Sequence, residues 1–166
     1  MKIQTKAAII IGSMVTLGIM EFVVSIVANR ITEIAPVVNQ AGLVRGGTQR
    51  LVKLKLFNGN PETITKLKDR TNQRIRGLLN GDRELSLPKI NDSNYQAIMQ
   101  QVEREFRRID ELVSQPNPDP KELFTLSETF FETTDRAVKI AEELAKKQEM
   151  RLRLFEVISI ILVIAA

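Results

Sequence analysis

The sequence has no cysteine, no histidine, no tryptophan and a single tyrosine among its 166 residues. Without cysteine there are no disulfide staples and no thiol nucleophile. Without histidine, Cys/His zinc sites and histidine-ligated haem are excluded, and a serine or threonine nucleophile lacks its usual general base. A hard cation held by carboxylates alone needs closely spaced oxygen ligands. Here Asp and Glu are scattered along helical segments with no EF-hand-like loop, so neither a metal nor a cofactor is expected. No stripe position offers a buried carboxylate for paired-acid catalysis, and an enzyme is not expected. The formal charge of +4 favours an anionic ligand or neighbour. The basic residues alternate with acidic ones and lack aromatic stacking partners, which argues against nucleic acid.

Apolar sequence is concentrated at the two ends. From Ala7 to Ala28, Glu21 is the only charged residue, and the run is long enough to cross a hydrocarbon core as a helix. Lys2 and Lys6 precede it, but the run is too long for a signal peptide and no small-x-small cleavage site comes before Asn29-Arg30. Residues 7–28 therefore read as a retained transmembrane helix. The two lysines favour a cytoplasmic tail at 1–6, with residues 29–153 extracytoplasmic at the bacterial inner membrane. Arg151 and Arg153 count against this orientation without reversing it. The run 154–166 is too short to span at about 1.5 Å per residue and reads as the start of a second transmembrane helix, cut off where the chain stops, with a short buried or interfacial tail as the alternative. Glu21 and Glu156 are ionisable groups inside these runs, positions at which such groups are costly and often functional.

Between the ends the periodicity is helical. Ile34, Val38, Gly42, Val52 and Leu56 step along one face of a segment from Ile31 to Leu56. Asn58-Gly59-Asn60-Pro61 ends it, and a second helix follows over Glu62–Leu79. Arg83–Ile90 reads as a loop laying Leu85 and Leu87 over the bundle end. A third helix, capped by Asp92 or Ser93, carries Tyr95, Ile98, Val102, Phe106, Ile109 and Val113 on one face. Past a proline-rich break, a fourth runs from about Lys121 into the second apolar run without a turn signal. The expected fold is all-α: an antiparallel up-down-up-down four-helix bundle flanked by transmembrane helices.

Arg45 and Gln49 fall in the same series as Val38, Gly42 and Val52, where apolar residues would be expected. A cation on a packing seam is costly unless an anion or acceptor pairs with it. In an isologous dimer Arg45 would face its symmetry mate, and an oxyanion between two guanidiniums would relieve their repulsion. The bland alternative is that Arg45 reaches solvent or a carboxylate on another helix. Gly42, Gly46 and Gly47 each cost about 1 kcal/mol in helix propensity, which close helix approach or backbone exposed to a ligand would explain. Arg50 points to the side of the seam, as a positioning or solvated charge.

The segment Ala41-Gly42-x-x-Arg45-x-x-x-Gln49-Arg50 resembles a segment of the sensor domains of type IV pilus methyl-accepting chemotaxis transducers and nitrate/nitrite sensor kinases. Asn39 also agrees with the nitrate-sensor version. The resemblance implies a dimeric periplasmic four-helix bundle between two transmembrane helices, feeding a kinase, cyclase or chemotaxis output. It further implies that Arg45 grips an anion at the dimer interface. Gly46-Gly47 stands where the nitrate sensors have a bulkier pair, and Gln49 where they have tyrosine, so the identity of the anion stays open.

The expected function is the signal-sensing input module of a bacterial transmembrane receptor. Arg45, Gly46, Gln49 and Arg50 would bind a small anion such as nitrate or nitrite, with Val38, Gly42 and Val52 on the seam between two copies. The cytoplasmic output lies outside this chain. The alternative is a membrane-anchored helical interaction or scaffold subunit without a small-molecule ligand.

Overall fold

The computed structural model describes residues 11–12, 14–19, 21–22, 25 and 34–165. The tail at 1–6, parts of the 7–28 run and the passage from that run into the first long helix lie outside them. Described positions within 11–25 are helical. Four long helices follow: α1 (Ile34–Leu56), α2 (Pro61–Asn80), α3 (Ser93–Ser114) and α4 (Pro120–Ala165). The chain is all-α, and an isolated antiparallel pairing of Asp82 with Leu87 stands in the α2–α3 loop. The chain divides into two compact units, one from Met1–Thr32 with Leu144–Ala166, the other from Glu33–Glu143.

Helix starts follow local hydrogen-bond chemistry. The Asn60 side chain accepts from the backbone N–H groups of Glu62 (2.8 Å) and Thr63 (3.2 Å). Pro61 occupies the first turn, where its missing N–H costs nothing. Asp92 caps α3 in the same way, accepting from Asn94 and Tyr95 N–H groups at 3.0 Å each. At the end of α2, Gly81 has φ +83° and donates its N–H to the Gly77 carbonyl at 2.8 Å, a conformation that favours glycine. The loop beyond it is held by reciprocal Asp82–Leu87 backbone bonds of 2.9 and 2.7 Å, which bury Leu87 and leave Leu85 half-buried.

Within Glu33–Glu143, consecutive helices pair in opposite directions. The Arg74 Nε donates to Gln40 Oε1 at 3.0 Å, joining late α2 to early α1. Lys68 meets Asp110 at 2.5 Å and the Tyr95 hydroxyl donates to the Leu78 carbonyl at 3.4 Å, joining opposite ends of α2 and α3. The Phe106 and Phe130 rings lie 6.1 Å apart between α3 and α4. Val44, Leu51, Ile75, Val102, Ile109 and Leu123 are fully buried among them. Burial of such side chains contributes roughly 1.5–3 kcal/mol each.

The buried stripe of α1 differs from the expected one. It runs through Ile34, Val37, Ala41, Val44, Thr48, Leu51 and Val52, one position away from the Val38–Gly42–Arg45–Gln49 series. Apolar or small residues stand side by side at 37/38, 41/42 and 51/52, so both phases are apolar there, but Val44 and Thr48 against Arg45 and Gln49 make the observed phase the more apolar one. Thr48 fits the core because its hydroxyl donates to the Val44 carbonyl at 2.9 Å, whereas a guanidinium there would be left unpaired. The expectation of a carboxylate-free stripe is also overturned, since Glu105 is only 9% exposed.

The fourth helix continues through Arg153 into the apolar run, as the absence of a turn signal implied. Among the described residues, no helix is long and apolar enough to cross a membrane. Glu21 and Glu156 are both exposed.

Candidate functional site

Helix α1 presents two different surfaces on either side of Arg45. On one lies the core stripe, which takes in Val52 at 4% exposure, so Val52 packs within its own chain. On the other, Ala35, Asn39, Leu43, Gly46, Gln49 and Arg50 are exposed and Gly42 is half-buried. Val38 and Arg45 sit at the boundary, both half-buried. A Cβ built at Gly42 or at Gly46 would meet nothing within 4 Å, whereas one at Gly47 would lie 3.1 Å from Thr71 Oγ1. Gly47 is therefore the glycine that lets α1 approach α2. Among the described residues, none gives Gly42 or Gly46 such a reason.

The Arg45 guanidinium is held from α4. Its Nη1 donates to Asp135 Oδ1 at 3.0 Å, and its carbon stands 4.8 Å from the centre of the Phe131 ring. Lys139, one turn further, meets the other Asp135 oxygen at 3.3 Å. Phe131, Asp135 and Lys139 follow at four-residue steps and so share one stripe of α4. The Arg45 and Asp135 side chains are 35% and 38% exposed, so the pair contributes no more than about 1 kcal/mol. A cation over an aromatic face adds about 0.5–1 kcal/mol. These contacts orient the guanidinium while the bond to Asp135 occupies one of its five N–H donors.

Of the residues singled out from the sequence, the structure brings Gly42, Arg45, Gly46, Gln49 and Arg50 to one side of α1, with Arg45 at its edge. Asp135 and Phe131 were not among them. The four-residue spacing of an aromatic, an acid and a base on the fourth helix was the available signal, but it does not say which helix it faces.

A second polar feature lies between α3 and α4. A groove of about 460 Å³ is lined by Glu105, Arg108, Lys121, Glu122, Thr125 and Thr129, among others. Glu105 Oε1 accepts from Gln101 Nε2 at 2.8 Å and from Thr133 Oγ1 at 3.1 Å. Its Oε2 has no hydrogen-bond partner among the described residues. No group of three or more acidic side chains that could hold a metal ion occurs among the described residues. Tyr95, 1% exposed, has its phenol pushed well above the usual range by burial.

No protein-family description matches the chain, and neither does any curated protein. Among solved structures, the ligand-binding domain of the P. aeruginosa nitrate receptor McpN is similar, with a TM-score of 0.59 and 19% sequence identity. The match covers 66% of this chain and 96% of that one. At this identity the likeness is one of fold: the chain shares the all-α architecture of a bacterial receptor's ligand-binding domain.

Proposed function

We propose that this chain is the signal-sensing input module of a bacterial transmembrane receptor, and that it binds a small anion through Arg45 at a seam between two copies. In this reading residues 29–153 form an extracytoplasmic up-down-up-down bundle, flanked by membrane helices at 7–28 and from 154 onward. The observation that carries it is the setting of Arg45. Its guanidinium is oriented by Phe131 and Asp135, yet stands at the rim of the face formed by half-buried Gly42 and exposed Gly46 and Gln49. Two copies meeting through that face would bring two guanidiniums near one axis, where an oxyanion relieves their repulsion. Close approach would also give Gly42 and Gly46 a reason that none of the described residues supplies. Gln49 and Arg50 supply further donors beside it. The fold shared with a nitrate receptor's ligand-binding domain makes nitrate the first anion to try.

Helices α1 and α4 would carry the signal, since both lead toward the apolar ends of the chain. Shifts of an ångström or two between packed helices are within the range of known transmembrane switching. The competing reading, a membrane-anchored helical interaction subunit without a small ligand, has one observation in its favour. Asp135 already pairs with Arg45.

Thermal melting of the full chain in detergent separates the two. Nitrate, nitrite and sulfate are compared at matched ionic strength, for the wild type and for Arg45→Ala. A ligand that binds only the folded state at a hundred times its Kd stabilises it by about 2.7 kcal/mol, a rise of several degrees. A rise with one anion, absent in Arg45→Ala, supports the sensor reading. No rise with any anion in a folded protein sinks it.

A further inference from the structure

We infer that Asp135 is a built-in competitor for the anion, a counter-ion that Arg45 exchanges for the ligand on binding. The inference rests on the anion site proposed above. Three observations on one stripe of α4 support it. Asp135 Oδ1 holds Arg45 Nη1 at 3.0 Å, one of the two nitrogens of the terminal edge that a bidentate oxyanion can grip. An anion on that edge and the Asp135 carboxylate would be like charges a few ångströms apart, so they cannot comfortably share it.

The exchange leaves neither partner stranded. Lys139 already lies 3.3 Å from the second Asp135 oxygen, so a released carboxylate keeps a cation one turn away. Phe131 lies 4.8 Å from the guanidinium carbon, so Arg45 keeps its orientation whichever anion it grips. Asp135 therefore sets the threshold of the site: the ligand must outcompete a carboxylate tethered beside the guanidinium. Releasing it also removes an α1–α4 tie between the helices proposed to carry the signal.

The test is nitrate affinity, measured by calorimetry on the full chain in detergent for wild type, Arg45→Ala, Asp135→Asn, Lys139→Ala and Glu132→Gln. Glu132 is an exposed carboxylate on the same helix and controls for the general field of a lost negative charge. Asp135→Asn is expected to bind nitrate at least about threefold tighter, the scale of a part-exposed ion pair. Lys139→Ala is expected to bind more weakly, because Asp135 then has only Arg45. Glu132→Gln should match the wild type. Nitrate binding that is lost in Arg45→Ala but unchanged or weakened in Asp135→Asn would overturn the exchange and leave the anion site standing. Equal tightening in Asp135→Asn and Glu132→Gln would also overturn it, because the field alone would then explain the gain. No nitrate binding to the wild type would remove both proposals together.

Discussion

At the scale of single residues, charge and burial make opposite demands that the chain meets in different ways. Arg45 keeps water on one side and takes a carboxylate and an aromatic face on the other. Tyr95 is buried outright, with a long hydrogen bond to the Leu78 carbonyl. Because burial raises its pKa in the folded chain, the unfolded chain loses the phenolic proton first, near its ordinary value of 10.0. The contribution is therefore constant below about pH 10, and stability falls as pH rises beyond it. Chemical denaturation between pH 8 and pH 11 should show that fall for the wild type and a shallower one for Tyr95→Phe. Equal slopes would mean that the phenol is not held neutral by the fold.

The glycines of α1 give a second residue-scale expectation, with opposite signs at neighbouring positions. Gly46→Ala meets open space and should gain up to about 1 kcal/mol of helix propensity, seen as a raised melting point in the monomeric chain. Gly47→Leu would drive a side chain into Thr71 and Leu67 and should cost about 1–3 kcal/mol. If Gly46→Ala also weakens self-association, the exposed face is where two copies meet.

At the scale of elements, caps and breaks were the most legible part of the sequence. The second helix was expected over Glu62–Leu79 and spans Pro61–Asn80, because Asn60-Pro61 and Gly81 act locally. Replacing either cap, Asn60→Ala or Asp92→Ala, should lower stability by about 1 kcal/mol in urea unfolding. Phe130→Ala, which removes a ring packed on Phe106, should cost about 3–5 kcal/mol by the same assay. The rotation of α1 was ambiguous only at the paired positions. Residues 37/38 and 51/52 are apolar in both phases, but Val44 and Thr48 against Arg45 and Gln49 favour the observed one, and what periodicity does not contain is which helix each face meets. The same limit hid Asp135 and Glu105. Both look like ordinary helix-surface acids in sequence. Only the packing of α4 against α1 and α3 gives them Arg45 and Thr133 as partners.

At the scale of the whole molecule, the two ends of the chain and the Glu33–Glu143 bundle are separate units, and α4 contributes to both. The central claim is that two copies share an anion through Arg45, which links ligand binding to association. Sedimentation velocity of the full chain in detergent, across a nitrate titration at constant ionic strength, tests that link most directly. The expected result is a dimer fraction that rises with nitrate in the wild type and stays flat in Arg45→Ala. A dimer fraction that ignores nitrate in the wild type would contradict the claim that the anion bridges two copies.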